Sequence, residues 1–274
     1  RGLRVSNMKR CSCSMCGCVA YGRRRCADDR HRFFCVGCVL LADKVCLEAD
    51  VDETAPCLGS GAFGVVRRGE VRRTGEVCAV KVSAQSSSGV VLASSEAVLA
   101  DRLEHECVCK LLSVMLRPEG LAMAFEFCGG GDLLDVIYEG DGLVIDEVRD
   151  CMAQLFRAVS HLHRQRVVHR DIKPANVLVK ERMPTVSLHL ADFGLAVECP
   201  LGGCVGGGGT LSYIPPEQLW GACNEACDVW ALGCILYECA VGEGLVPDTV
   251  LDEEMSVLAF VRSPHFAIRL EAVP

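Results

Sequence analysis

The run His169-Arg170-Asp171-Ile172-Lys173-Pro174-Ala175-Asn176-Val177-Leu178, with Asp192-Phe193-Gly194 sixteen residues beyond the Asn, decides the reading of this chain. An isolated Asp-Phe-Gly is common by chance. The full set places two carboxylates, a cation and an amide at fixed separations along one stretch. Phosphoryl transfer suits such a set, because it asks a protein for little covalent chemistry. It needs positioned reactants, metal ions between the phosphates, and a carboxylate near the attacking hydroxyl. Magnesium prefers oxygen ligands, which Asn176 and Asp192 can supply. Asp171 would orient the hydroxyl and accept its proton.

Working upstream, Leu58-Gly59-Ser60-Gly61-Ala62-Phe63-Gly64-Val65-Val66 offers backbone without side chains, which can lie close over phosphates. Alone, this glycine pattern also fits a dinucleotide fold or an ordinary hairpin. Valines follow it, so a strand is expected next; a dinucleotide site needs a helix there. Cys78-Ala79-Val80-Lys81-Val82 comes about fifteen residues later. A lysine in a lone apolar strand reads as a surface residue. After a glycine loop it reads as an ammonium facing the α- and β-phosphates. Glu96, on a helical stretch from about Ser94 to Leu103, is the candidate to hold it, with Glu104 and Glu106 as solvated alternatives.

The texture of the chain changes twice. Residues 1 to about 48 are rich in Cys and Arg; short β-like runs fill about 51 to 127; a helical pattern dominates from about 128. Between Cys151 and Arg164, Met152, Leu155, Phe156, Val159 and Leu162 recur at helical spacing and are expected on one buried face. The 274 residues suffice for a two-lobed domain with a small appendage. A net charge of −8 argues against a protein built to hold nucleic acid. The longest apolar run, Val229 to Val241, is short of a membrane span, contains Glu238, and reads as a core helix. With no secretory pattern and twelve cysteines scattered among hydrophobic neighbours, such as Cys78, Cys234 and Cys239, a cytoplasmic or nuclear setting is expected.

On these motifs, residues from about 51 to 241 resemble the eukaryotic protein kinase family. The resemblance implies an α+β, two-lobed kinase-like fold: a β-rich small lobe over about 51–127 and a helical large lobe over about 128–274, incomplete at its end. It implies ATP and Mg²⁺, with protein substrates. Leu58, Val66, Ala79 and Leu178 would sandwich adenine. Phe125 falls at the gatekeeper position, Glu126 to Cys128 at the hinge, and Asp132 where an acidic residue meets the ribose. Gly209-Thr210, Tyr213 and Pro216-Glu217 look like the end of an activation segment, and Asp228 like the anchor of the catalytic loop. Lys173, two residues after the catalytic Asp, is typical of serine/threonine kinases, and Thr210 fits that class. The second reading is a catalytically inactive pseudokinase or scaffold.

Two departures stand out. From Ala196 to Gly209 there is no Ser, Thr or Tyr, so phosphorylation of this segment is not expected to switch the protein on; a regulatory partner or the N-terminal segment would order it. After Val241 only about thirty residues remain, and Arg262 and Arg269 are the candidates to pair with Glu217. Missing helices would leave apolar surface on the central helix exposed. Residues 1–50 form a separate Cys-rich segment, in which Cys13-x-x-Cys16 and Cys35-x-x-Cys38 are spaced as a four-cysteine Zn²⁺ site.

Overall fold

The computed structural model describes five short strands before residue 52 and, beyond them, residues 57–61, 64–71, 74–83, 87–117, 120–140, 142–182, 186–199, 203–205, 207–250 and 254–270. The candidate zinc ligands Cys13, Cys16, Cys35 and Cys38 lie outside the described residues. The chain divides into two compact units, Arg1–Arg102 with Lys110–Phe127, and Leu103–Cys109 with Cys128–Pro274. One of the three boundaries falls between Phe127 and Cys128, within the stretch read as a hinge.

The first unit is built on an antiparallel sheet of strands β1 (Ala49–Val51), β2 (Cys57–Gly61), β3 (Gly64–Val71), β4 (Glu76–Val82), β5 (Leu111–Arg117) and β6 (Gly120–Glu126). The order is β1-β3-β4-β6-β5, with β2 paired to β3. Along β3 and β4 side chains alternate between the two faces of the sheet. On one face Cys78, Val80, Ala122 and Ala124 form a buried cluster, with Val71, Val82 and Leu112 against it. The opposite face of β4 therefore carries Ala79 and Lys81. Helix α1 (Ser87–Arg102) packs on β6. It begins seven residues before the expected Ser94. Ser87, Ser88 and Gly89 are weak helix formers, so the early turns escape a reading by propensity. The helix buries Ala93, Ala97, Leu99 and Ala100.

The second unit is mostly helical. Helix α2 (Leu133–Glu139) starts at Asp132, whose side chain accepts from the Asp135 amide while Asp135 returns the bond. This capping box satisfies amides that a helix leaves unpaired. Helix α3 (Ile145–Arg164) buries Val148, Cys151, Met152, Leu155, Ala158, Val159 and Leu162. Each large apolar side chain so buried contributes about 1.5–3 kcal/mol. Phe156 departs from expectation: it is 52% exposed. It stands at the margin of the buried stripe, in a groove of about 590 Å³ shared with Val159, Val229 and Leu232.

The short strands β7 (Val167–Val168), β8 (Val177–Glu181), β9 (Ser187–Leu190) and β10 (Val197–Glu198) follow, with β7 paired to β10 and β8 to β9. Strands β11 (Cys204–Val205) and β12 (Ala222–Cys223) also pair. Helix α4 (Glu225–Val241) is the central helix, capped by Asn224 and ended by Gly242 in the left-handed conformation. Helices α5 (Glu254–Val261) and α6 (Pro264–Leu270) close the described chain. No described helix is long and apolar enough to cross a membrane. Val229, Gly233 and Leu236 form an exposed stripe on α4. Arg269 pairs with Glu243 at 2.9 Å, and Arg262 lies over the Trp220 ring. Among the described residues, neither arginine pairs with Glu217.

Candidate active site

In the first unit, β2 and β3 form a hairpin with Gly61 opposite Gly64, Ser60 opposite Val65 and Gly59 opposite Val66. Leu58, Gly59 and Ser60 are exposed; Ala62 and Phe63, between the strands, lie outside the described residues. Gly64 has a clear reason to be glycine. Its φ is +140°, and a Cβ there would sit 2.0 Å from the Val82 carbonyl oxygen of β4. The glycine therefore lets β3 close onto β4. Lys81 stands opposite both Val66 and Met123. Val66, Ala79 and Lys81 share the face away from the core cluster.

Lys81 Nζ lies 2.7 Å from Glu96 Oε1, and their side chains are only 10% and 4% exposed. The expected partner is thus in place. Of the alternatives, Glu106 is exposed and accepts from Arg157, and Glu104 is exposed as well. Phe125 stands opposite Ala79. The Glu126 amide donates to the Lys110 carbonyl at 2.9 Å, and its carboxylate accepts from the Lys110 amide.

In the second unit, the loop from His169 to Asn176 follows β7 and is held by Asp228 of α4. One carboxylate oxygen accepts from the Arg170 amide at 2.9 Å; the other accepts from the His169 amide at 3.0 Å and lies 2.8 Å from His163 Nε2. The His169 side chain reaches the Ala191 carbonyl through Nε2 at 3.0 Å. A carbonyl only accepts, so Nε2 carries the proton and Nδ1 can accept from the Asp171 amide at 3.3 Å. Arg170 has φ +69° and Asp192 φ +60°, both in the left-handed region that non-glycine residues avoid. Such strain persists where surrounding bonds enforce it, often at functional sites. For Arg170 those bonds are the two Asp228 contacts and the bond from its Nε to the Leu195 carbonyl at 2.7 Å.

Three predicted residues converge on Asp171. Thr210 Oγ1 donates to its Oδ1 at 2.8 Å, and Asn176 Nδ2 donates to its Oδ2 at 3.0 Å. Lys173 Nζ is 3.1 Å from Oδ2 and donates to Thr210 Oγ1 at 2.7 Å. Asp192 reaches the same end of the β8–β9 ladder as Asn176: Val177 pairs with Leu190, and the Ala191 amide donates to the Asn176 carbonyl. The Asp192 side chain caps the turn Phe193–Leu195 through the Gly194 amide. Asn176 also donates to the Asp171 carbonyl at 2.8 Å. Its nitrogen is thus committed to the loop, and its oxygen is the atom suited to a cation. Asp192 and the side-chain oxygen of Asn176 are both oxygen donors, the ligand chemistry that would suit a magnesium ion. Among the described residues no cluster of three or more His, Cys, Asp or Glu is arranged to hold a metal.

Leu178 of β8 forms an isolated bridge to Asp132, whose carboxylate is engaged in capping α2. Cys128 is half-buried. Two groups escaped the sequence reading. Glu238 of α4 is 1% exposed and accepts from Tyr213 at 2.7 Å and Tyr138 at 3.0 Å. Burial and the Glu238 carboxylate push the Tyr213 phenol far up. Gln218, 2% exposed, donates to backbone carbonyls of two different loops. Both partnerships link positions distant in sequence and leave no local period.

A sheet with a paired buried lysine, and a helical unit with a carboxylate-centred loop, define the class. The protein kinase domain family matches residues 53–265, and the chain belongs to that family. It is 34% identical over 196 residues to maternal embryonic leucine zipper kinase of Xenopus tropicalis, covering 68% of this chain and 29% of the relative. It is 31% identical over 228 residues to Serine/threonine-protein kinase PKZ1 of Phytophthora infestans, covering 72% of this chain and 57% of the relative. Calcium-dependent protein kinase 5 of Plasmodium berghei is 30% identical over 185 residues. The chain thus spans between 29% and 57% of the length of these relatives.

Proposed function

We propose that this chain transfers the γ-phosphate of ATP to serine and threonine hydroxyls of protein substrates. The observation that carries the reading is the convergence of Thr210, Lys173 and Asn176 on Asp171. A carboxylate fixed by three donors is held in one orientation, and positioning is most of what phosphoryl transfer requires. Asp171 orients the substrate hydroxyl and accepts its proton as the new O–P bond forms and the bond from the γ-phosphorus to the β–γ bridging oxygen breaks. Lys173 offsets negative charge on the transferring group. Thr210 sets the distance between them. Lys81, locked by Glu96, would face the α- and β-phosphates, with Val66 and Ala79 on the same face of the sheet beside the adenine. Magnesium, held by Asn176 and Asp192, neutralises phosphate charge when bound.

The test is magnesium-dependent transfer from ATP to a serine/threonine peptide and to a matched tyrosine peptide. Transfer to the first is expected, falling about a hundredfold or more in Asp171→Asn. Transfer that survives Asp171→Asn overturns the assignment of roles. Folded protein that binds ATP without transfer is a nucleotide-binding scaffold instead, and preference for the tyrosine peptide overturns the substrate class.

A further inference from the structure

The segment from Ala196 to Gly209 offers no hydroxyl for a phosphate. In kinases that are switched by such a phosphate, it orders the segment by pairing with arginine. Here Arg170 Nε is already engaged with the Leu195 carbonyl. Thr210 nevertheless sits on Asp171 at 2.8 Å, so the segment has another fastening at that end.

Gln218 lies in the short turn Pro216–Trp220, two residues beyond the double proline. Its Nε2 donates to the Gly208 carbonyl at 2.6 Å and to the Arg170 carbonyl at 3.3 Å. Both partners are carbonyl oxygens, which only accept, so the amide can face them only through its nitrogen. One carbonyl is two residues before Thr210; the other immediately precedes Asp171. Between them Gly209, at φ +112°, brings its backbone against the loop. A Cβ there would lie 2.7 Å from the Arg170 oxygen and 3.2 Å from Gln218 Nε2. The close approach and the amide bridge occupy the same few ångströms.

We propose that Gln218 is a positioning residue for the transfer: its buried amide clips the activation segment to the catalytic loop and holds Thr210 on Asp171 without an added phosphate. This rests on the kinase reading above and deepens it, since the clip is always closed and the segment needs no modification to order it. A donor removed from buried partners leaves their desolvation uncompensated, so the segment would lift where the amide is lost.

Gln218→Met keeps the length of the side chain and removes the donors. The experiment compares it with wild type by peptide phosphorylation, ATP titration and amide hydrogen exchange. The expected result is a fall in kcat of about tenfold or more, KM for ATP within about twofold, and faster exchange confined to residues 207–213. Wild type is expected to be active without stoichiometric phosphate between residues 196 and 213. Where Gln218→Met does not fold, Gln218→Leu removes the donors in a shorter apolar side chain and serves the same comparison. Wild-type kcat with unchanged exchange overturns the proposal, as does exchange that rises equally along α3. Wild type that transfers no phosphate overturns the functional reading, and the exchange data then decide the clip alone.

Discussion

Lys81 and Glu96 are worth more to each other than to the fold. A buried ion pair gains little over two apolar side chains, but removing one member strands a charge away from water. Glu96→Ala is therefore expected to destabilise the protein by about 3–5 kcal/mol, seen as a lower denaturant midpoint. The double variant Lys81→Met/Glu96→Leu is expected to regain most of that stability while phosphate transfer stays lost. A single variant with full stability would contradict the buried pairing. At this scale the sequence was informative where spacing is short. Asp171, Lys173 and Asn176 lie in one loop, so their grouping could be read directly. Glu238 could not, because its partner Tyr138 is 100 residues away. Gln218 could not either: a polar residue in a proline-led turn reads as exposed, and its burial depends on a loop 48 residues upstream.

Among the elements, the glycine hairpin separates structural from ligand-facing glycines. Among the described residues nothing lies within 4 Å of a Cβ built on Gly59, whereas one on Gly64 meets the β4 backbone. Gly59→Ala is expected to melt within about a degree of wild type, because an open surface position costs little, and to lose affinity for ATP if the loop covers the phosphates. Gly64→Ala is expected to lower the melting temperature, since strained φ and a backbone clash add at one position. Equal melting of the two variants would refute the distinction. The glycine spacing alone did not rank them, because a strand-to-strand approach is a property of the sheet. Helix α3 gives a similar lesson. Its period identified the buried stripe, but Phe156 lies at the margin, where the packing of α4 decides burial.

For the whole molecule, the cysteines set a dependence on pH. Burial pushes the Cys151 thiol up to about 11 and that of Cys234 to about 12; Cys78, Cys107 and Cys239 move the same way. Unfolded thiols ionise near about 8.5. The raised groups stabilise the folded state fully below that value, and the contribution is lost as pH rises through about 11 to 12. Cys227 opposes them: the hydrogen bond from Cys223 lowers it to about 7, so its contribution is present above the unfolded value and lost as pH falls through about 7. Stability is thus expected to decline from pH 9 to 11, and Cys151→Ala to flatten the decline in paired melting curves. A slope unchanged by that substitution would exclude Cys151 as a contributor.

The two units also differ in where these thiols sit. Cys78 is sealed in the core of the sheet, while Cys151, Cys234 and Cys239 are sealed among the helices. A thiol that reacts only when its surroundings open is a clock, and this chain carries clocks in both halves. Brief alkylation followed by peptide mass analysis would time the opening of each unit separately, without any probe added to the protein. It would also show whether nucleotide slows one half, the other, or both.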